Sequence, residues 1–259
     1  MSSASIRSSM VSDDVPEIRK IRSRHNWKLG NLNHHKTQTI SRESIRYVQN
    51  EIAKKKEKFH FSKQEIDLLC TVFRFLIQND ETNTIDRTRF QNILHNTFET
   101  TDDLITDRIF KVFDRDNDGQ INMLEWVIGL NVYLRGTLDE KIIFAFDCYS
   151  LKGEKFITRQ EMFQLLKSCV PKQNNDENPV ENIKELVEIT LKKMDKDRDN
   201  RLSDEDFATS VHEDPLLLCC FGQIFPNSTV NIVQITILFI YFISLEKSRI
   251  RTNCFLSTI

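Results

Sequence analysis

Residues 114–125, DRDNDGQINMLE, place oxygen-bearing side chains at a spacing that constrains both the local fold and its chemistry. Asp114, Asp116 and Asp118 put carboxylates at positions 1, 3 and 5 of a twelve-residue loop. Gly119 at position 6 allows the sharp backbone turn that such a loop requires. Calcium prefers oxygen ligands and takes six to eight of them, so the segment predicts a calcium site.

The second half of the loop completes the predicted ligand set. Gln120 at position 7 would contribute its backbone carbonyl, and Asn122 at position 9 would hold a bridging water. Glu125 at position 12 is long enough to bind the ion through both carboxylate oxygens. Apolar residues recur at helical spacing before and after the loop, so the segment has the pattern of an EF-hand, a helix–loop–helix calcium unit.

Apolar residues recur at position 8 of four such units, at Ile85, Ile121, Ile157 and Leu202, which are 36, 36 and 45 residues apart. Because one unit cannot bury its apolar face alone, four of them predict two pairs with short strand bridges between paired loops. The predicted fold is an all-α, two-lobed EF-hand protein with two degenerate units. The longer third interval contains the polar, proline-bounded stretch 171–179, which predicts a flexible connection.

The fourth loop, residues 195–206, keeps most of the negative charge. Its candidate metal ligands are Asp195, Asp197, Asp199, Arg201 (at position 7) and Asp206. Asn200 replaces glycine at position 6, and asparagine tolerates left-handed backbone. Asp206 at position 12 is one methylene shorter than glutamate, so we expect a weaker calcium site that could also take Mg²⁺.

The other two loops keep the helices but lose the ligands. In the third loop Ser150 replaces the first aspartate, and Lys152 and Lys155 stand at positions 3 and 6. A lysine ammonium beside a calcium ion is repulsive, so this hand is predicted to be structural. In the first loop position 12 falls on Arg89, which cannot coordinate a cation.

The predicted organisation follows from these units. It comprises a disordered basic extension (1–45), a leading helix and the degenerate first EF-hand (46–100), the second EF-hand with calcium (101–136), the degenerate third (137–170), the fourth with weaker calcium (180–215), and a C-terminal helix with an apolar tail (216–259). We expect the leading helix to start at about Ser41 and to end in the lysine cluster 54–58.

The net charge of −2 conceals a basic N-terminal arm. Residues 1–60 carry thirteen Lys and Arg against six Asp and Glu, and the serine-rich first part predicts disorder. The arm is either an electrostatic contact for an acidic surface, such as microtubules, a membrane or nucleic acid, or a solvated segment. We favour the solvated segment and predict no nucleic-acid partner.

The apolar run Val230–Leu245 is shorter than the roughly twenty residues that a membrane-spanning helix needs. It is a membrane anchor, a groove-filling element or an extension introduced by the gene model, and a membrane partner is disfavoured.

No apolar signal sequence follows Met1, and the six cysteines lack C-x-x-C spacing. These features predict a cytoplasmic protein with reduced thiols. A zinc site at Cys219 and Cys220 with a histidine is disfavoured.

From Phe90 to Pro226 the sequence closely resembles the calaxin family, and the likeness extends over about residues 50–226. The segments that carry the resemblance are Asn92–His95, Thr101–Asp103, Phe113–Gly119, Leu124–Trp126, Leu134–Gly136, Leu186–Asp195, Leu216–Leu218 and Phe221–Gly222. The resemblance implies a calcium sensor of the ciliary or flagellar axoneme that binds dynein heavy chain or the docking complex of outer dynein arms. Members usually keep acidic ligands in the third loop, which Ser150 and Lys152 replace here, so fewer calcium ions are expected.

Two other kinds of calcium protein are similar in the central sequence. A membrane-associated sensor resembling neuronal calcium sensors would need Gly at position 2 for myristoylation, and this chain has Ser2. A regulatory protein resembling calcineurin B, which holds an enzyme helix in its groove, is the other alternative. The chain itself is predicted not to be an enzyme, because we find no nucleophile–base arrangement and no phosphate-binding glycine loop.

Overall fold

The computed structural model describes residues 34–54, 59–77, 83–98, 100, 102–169 and 179–226. The chain divides into two compact units, Met1–Ser44 and Ile45–Ile259. The described part of the first unit is the beginning of a helix, and the helix–loop–helix units belong to the second.

Most of the predicted terminal and connecting features lie outside the described residues. They are the basic arm up to residue 33, the lysines after Lys54, residues 171–178 of the connection and the apolar run Val230–Leu245. Within the described ranges no helix has the length and apolar character to cross a bilayer.

Nine α-helices and four short strands form the described part of the chain, with two helices between successive strands. The helices are α1 (His34–Lys54), α2 (Lys63–Leu76), α3 (Arg87–Phe98), α4 (Asp103–Phe113), α5 (Met123–Arg135), α6 (Leu138–Tyr149), α7 (Arg159–Cys169), α8 (Pro179–Met194) and α9 (Asp204–Glu213). The strands are β1 (Ile85–Asp86), β2 (Gln120–Ile121), β3 (Phe156–Thr158) and β4 (Arg201–Ser203). A 3₁₀-helix, Pro215–Cys219, follows α9.

The strands join the four helix–loop–helix units in two pairs. In the antiparallel pair β1–β2, Ile85 lies opposite Ile121, and in β3–β4, Ile157 lies opposite Leu202. These are the four position-8 residues, and all are completely buried. The first unit therefore pairs with the second and the third with the fourth, which confirms the predicted all-α EF-hand fold with short strand bridges.

Reciprocal side-chain bonds set the starts of several helices. The Asn122 side chain accepts the amides of Leu124 and Glu125, and the Glu125 carboxylate accepts the Asn122 amide. The same capping box occurs at Ser62–Glu65, Thr137–Glu140 and Ser203–Asp206. A cap of this kind contributes about 1 kcal/mol because it satisfies amides that have no partner inside the helix. In the second and fourth hands, the position-12 acid therefore also starts the outgoing helix.

Aromatic rings fill the core of the first lobe, between α2, α3, α4 and α5. The ring centroid of Phe90 lies 5.6 Å from that of Phe110, 5.0 Å from Phe113 and 6.5 Å from Trp126. Each of these four side chains is at most 1% exposed. Tilted and edge-to-face contacts at such distances add to the stabilisation that burial provides. Trp126 directly follows Glu125, so the core indole is tied to the end of the calcium loop.

The residues after α9, which we call the C-terminal strap (215–226), pack across both lobes. The Tyr149 hydroxyl donates to the carbonyls of Leu218 and Gly222, at 3.1 and 2.7 Å. Phe225 packs against Tyr133 of the first lobe and Phe144 of α6, with centroids 5.9 and 5.6 Å away. The strap therefore occupies apolar surface that the two lobes share.

The strap differs from the predicted C-terminal helix, because it contains only a 3₁₀-helix before its backbone becomes irregular. Gly222 has φ of +133°, and a Cβ there would lie 2.6 Å from the Cys169 sulfur. A positive φ and so close an approach are incompatible with a continuing α-helix.

The leading helix α1 also differs from its prediction, because it begins at His34 rather than about Ser41. Residues 34–45, which the sequence predicts to be disordered, are helical. Val48 and Ile52 anchor the helix, being 1% and 8% exposed. No Pro or Gly occurs in residues 34–54, so the anchored helix can extend towards the N-terminus.

Substitution of Gly129 in α5 by alanine tests how tightly the first lobe is packed. A Cβ at this position would lie 2.3 Å from the Phe113 ring. Gly129→Ala gains about 1 kcal/mol of helix propensity, but overpacking a filled core costs about 1–3 kcal/mol. We therefore expect urea denaturation to show a net loss of about 1 kcal/mol in the free energy of unfolding.

The same substitution made in a Phe113→Leu variant tests whether the Phe113 ring causes the loss of stability. In Phe113→Leu the smaller side chain leaves room for the new methyl group, so Gly129→Ala should cost less there. An equal cost in both backgrounds would show that the Phe113 ring is not the obstacle.

Candidate metal centre

The second loop runs from the end of α4 to the first turn of α5 and brings three carboxylates together. One oxygen each from Asp114, Asp116 and Glu125 lies within 4.8 Å of the others. Asp114 is 6% exposed and Glu125 is 5% exposed. Two oxygens bound to one calcium ion at 2.3–2.6 Å can be at most about 5 Å apart, so this spacing fits calcium.

Backbone amides of the loop hold the aspartates in place. The Asp114 carboxylate accepts the amides of Asp118 and Gly119, at 3.1 and 2.9 Å. Asp116 also accepts the Asp118 amide at 3.1 Å. Gly119 has φ of +83°, which turns the chain back around the carboxylates. The sequence predicts this turn correctly.

Glu125 closes the loop from its far end. One of its oxygens accepts the amides of Arg115 and Asp116, at 2.9 and 3.3 Å, while the other accepts the Asn122 amide at 3.0 Å. Burial raises the pKa of Glu125 above its ordinary value, although these amide bonds oppose the shift. A divalent cation would offset the cost of burying this charge among other carboxylates.

Two other ligands, Asp118 and Gln120, are predicted for this loop. Asp118 is outside the 4.8 Å group, and its carboxylate accepts the Gln120 amide at 2.7 Å. The Gln120 side chain accepts the Thr84 hydroxyl of the first hand. Coordination by Asp118 and by the Gln120 backbone carbonyl stays a prediction.

The fourth loop brings together a different set of three. Oxygens of Asp195, Asp197 and Asp199 lie within 4.8 Å of one another, and the latter two side chains are exposed. The Asp199 amide lowers the pKa of Asp197, but desolvation and the neighbouring carboxylates outweigh it and the pKa is raised. The clustered negative charge of this loop therefore also favours binding of a cation. Asn200 has φ of +65°, so the left-handed conformation predicted for it is confirmed.

Position 12 distinguishes the two loops. Asp206 repeats the closing bonds of Glu125, because it accepts the Lys196 amide at 3.1 Å and the Ser203 amide at 3.2 Å. Its carboxylate nevertheless stands outside the group of three, whereas that of Glu125 is inside its group. Ligation by Asp206 and by the Arg201 backbone carbonyl stays a prediction. The Arg201 side chain places a competing cation nearby, with Nε 3.3 Å from Asp199.

In the third loop, hydrogen bonds within the protein take up the side chains that stand at ligand positions. Glu161 at position 12 accepts the amides of Lys152 and Thr158, at 3.0 and 2.8 Å. Burial raises the pKa of Glu161, but these bonds and the Lys152 charge prevail and lower it. Ser150 donates to the Glu154 carbonyl at 2.8 Å. No group of three clustered metal-binding side chains forms in the described third loop.

Backbone conformation separates the third loop from its neighbours. Position 6 is left-handed in the other three loops, at Asn83, Gly119 and Asn200, but not at Lys155. Position 4 is also left-handed, at Asn117, Gly153 and Arg198. Sequence reasoning missed the position-4 turn, although Asn117 and Gly153 are residue types that favour it. Arginine does not favour this conformation, so the sequence does not indicate the turn at Arg198.

Comparison with known proteins agrees with this geometry. The EF-hand family model matches residues 105–128 and 186–212, which enclose the second and fourth loops. The chain is 50% identical to calaxin of Xenopus laevis over 173 residues, which is 65% of this chain and 83% of that protein. It is 48% identical to calaxin of Homo sapiens over 172 residues, covering 65% and 82% respectively.

The calcineurin B protein of Candida glabrata is a more distant relative, 31% identical over 156 residues, which is 60% of this chain and 84% of that protein. The higher identity to the calaxins, over most of their length, agrees with the resemblance carried by the residues after Phe90. The chain therefore belongs to the calaxin family of EF-hand calcium sensors.

Proposed function

We propose that this protein senses calcium in the axoneme of cilia or flagella, where it binds dynein heavy chain or the docking complex of outer dynein arms and adjusts ciliary beating. The observation that carries the proposal is the double role of Glu125. Its side chain belongs to the group of three carboxylates and also caps the first turn of α5. Membership in the calaxin family supports the ciliary location. The protein acts as a regulator and not as an enzyme.

The second loop is the proposed principal site. Asp114, Asp116, Asp118 and Glu125 would hold calcium through their carboxylates and Gln120 through its carbonyl. Bound calcium supplies the positive charge that lets these carboxylates converge. Calcium held by both Glu125 oxygens would draw this side chain towards Asp114 and away from the Asn122 amide. Since Glu125 lies in the first turn of α5, this movement is passed to the helix.

The residue after Glu125 shows what the movement of α5 would expose. Trp126 packs against Phe73 of α2 at 6.1 Å and against Phe90 of α3 at 6.5 Å, measured between ring centroids. Rotation of α5 away from Ile109 and Phe110 would open this core into an apolar groove. Such a groove accepts one amphipathic helix, which is the proposed mode of binding to the dynein-complex partner.

Opening has to disturb contacts that α5 makes with the first turn of α2 and with the residues just before it. Arg135 donates to Glu65 at 2.6 Å, and its guanidinium lies 4.5 Å from the Phe61 ring centroid. The His60 amide donates to the Asn131 side chain at 2.8 Å. The Arg135–Glu65 pair is partly exposed, and pairs of this kind contribute about 0–1 kcal/mol. These contacts favour the closed state without preventing opening.

The fourth loop is the proposed weaker site. Its carboxylates are more exposed than those of the second loop, and Asp206 stands outside the group of three. A shorter position-12 ligand suits the smaller coordination shell of magnesium better than that of calcium. We therefore assign Mg²⁺ as a second ion for this loop.

Regulation of an enzyme in the manner of calcineurin B is the second candidate function. It is favoured by the 31% identity to the calcineurin B protein over most of that protein's length. In that case the protein would hold an enzyme helix permanently.

Calorimetry tests the order of the two sites. We expect one site with a dissociation constant of roughly 10⁻⁷–10⁻⁵ M in the second loop and a weaker one in the fourth. Glu125→Gln removes a charge and one bidentate ligand, so the tight binding step should disappear. Asp206→Asn is the matched change in the fourth loop and should remove only the weak step. An unchanged titration of Glu125→Gln would contradict the assignment.

Trp126 fluorescence tests opening of the first lobe. The indole is 1% exposed, so calcium-induced rotation of α5 should shift its emission to longer wavelength and increase binding of an apolar-surface dye. Trp27→Phe removes the other tryptophan, so that the signal reports Trp126 alone. Constant emission and dye binding in protein shown by calorimetry to bind calcium would assign the ion a purely structural role.

Direct binding separates the two candidate functions. Purified outer-arm dynein with its docking complex and the purified catalytic chain of calcineurin should be offered to the immobilised protein, with calcium and with chelator. We expect calcium-dependent retention of the dynein assembly that Glu125→Gln abolishes, together with axonemal location of the tagged protein. Retention of the phosphatase chain alone, independent of calcium, would instead support the calcineurin-B-like function.

A further inference from the structure

Arg108 of α4 connects the calcium hand to the third hand. Its guanidinium donates to the carbonyls of Cys148, Leu151 and Asp147, at 3.0, 3.1 and 3.2 Å, and also to that of Ser150. These four carbonyls belong to the end of α6 and the first two positions of the third loop. One half-buried side chain therefore binds the turn where the helix passes into the loop.

The end of α6 lacks the positive charge that the corresponding helices carry themselves. The last turn of α4 contains Lys111, and that of α8 contains Lys192 and Lys193, whereas α6 has no basic residue there. The last carbonyls of a helix have no partner within it and carry partial negative charge. In the second and fourth hands a bound cation would add to the compensation, but the third loop lacks the necessary ligands.

We infer that Arg108 is the positioning residue that caps α6 in place of a cation at the third hand, and that it transmits the calcium state of the second loop to the third. The proposed transmission rests on the proposed calcium binding, whereas the proposed cap does not. The cap itself is a property of the calcium-free chain.

The surroundings of Arg108 support a fixed attachment. The neighbouring Asp107 accepts from Arg87 at 3.2 Å and from Gln91 at 3.0 Å, which ties α4 to α3 on its other side. Burial lowers the pKa of Arg108, although Cys148, Glu161, Asp107 and Asp147 act in the opposite direction. Four separate carbonyls suit the five N–H donors of a planar guanidinium, which a lysine ammonium does not reproduce.

Amide hydrogen exchange of the calcium-free full chain tests the cap. Arg108→Gln should speed exchange at the amides of Ser150, Lys152 and Gly153 by about tenfold, since the turn loses its external partner. Arg108→Lys should restore only part of the protection. The matched control is Arg87→Gln, an identical chemical change in a residue that also binds α4 but not α6, and it should leave these amides within about twofold of the parent. Equal protection in parent and Arg108→Gln would overturn the cap.

The transmission is tested with the fourth loop silenced by Asp195→Asn and Asp197→Asn, because β3–β4 pairing would otherwise carry that loop's calcium directly to the third. In this background calcium should slow exchange at the same amides by about fivefold or more. Adding Arg108→Gln should abolish the slowing, and adding Arg87→Gln should preserve it. Slowing that persists in Arg108→Gln would overturn the transmission.

Failure of the proposed function would give a different result. Parent protein that takes up no Glu125-dependent calcium in calorimetry would refute the calcium sensor itself, while the calcium-free exchange would still decide whether Arg108 caps α6. Calcium binding that is normal in Arg108→Gln, together with lost slowing of exchange in the third loop, is the result that supports the inference.

Discussion

Pairing of the four loops through single apolar residues is the constraint on which the rest of the structure depends. Ile85 lies opposite Ile121 and Ile157 lies opposite Leu202 in two short antiparallel bridges, and all four are fully buried. A helix–loop–helix unit by itself leaves its apolar face in water, so each loop needs a partner whether or not it binds metal. This requirement explains why the first and third hands keep their helices after losing their ligands. Each loop with clustered carboxylates is joined to one that is predicted to be metal-free.

The two acidic loops differ in how burial and charge are balanced. In the second loop Asp114 and Glu125 are nearly inaccessible, so their mutual repulsion acts in a medium of low dielectric constant and an ion is strongly favoured. In the fourth loop the converging carboxylates of Asp197 and Asp199 are exposed to water, which screens them. At position 12 Glu125 belongs to the carboxylate group of its loop, whereas Asp206, one methylene shorter, does not. This difference is the basis for proposing one tight and one weak ion.

Local patterns carried most of what the sequence predicts correctly. The calcium loop is twelve consecutive residues, and the strand pairs follow from position 8 of each repeat, so both can be derived without long-range information. The left-handed Asn200 follows from residue type. The irregular strap around Gly222 was not predicted, because close contact with the distant Cys169 and Ile105 decides it. The start of α1 at His34 was not predicted either, although residues 34–54 contain no Pro or Gly. Nothing near Arg108 in the sequence indicates that its partners are some forty residues away.

The attachments of α4 determine which helix can respond to calcium. Asp107 ties α4 to α3, and Arg108 ties it to the end of α6, so α4 is held on two sides. The C-terminal end of α5 carries the buried Tyr133 ring and the partly exposed Arg135–Glu65 pair, and Gly136 follows it on the way to α6. A Cβ at Gly136 would lie 2.6 Å from the Val132 carbonyl, so only glycine fits this junction as it stands. In the proposed mechanism a pull on Glu125 turns α5 about the Gly136 junction, while Arg108 keeps the end of α6 joined to α4.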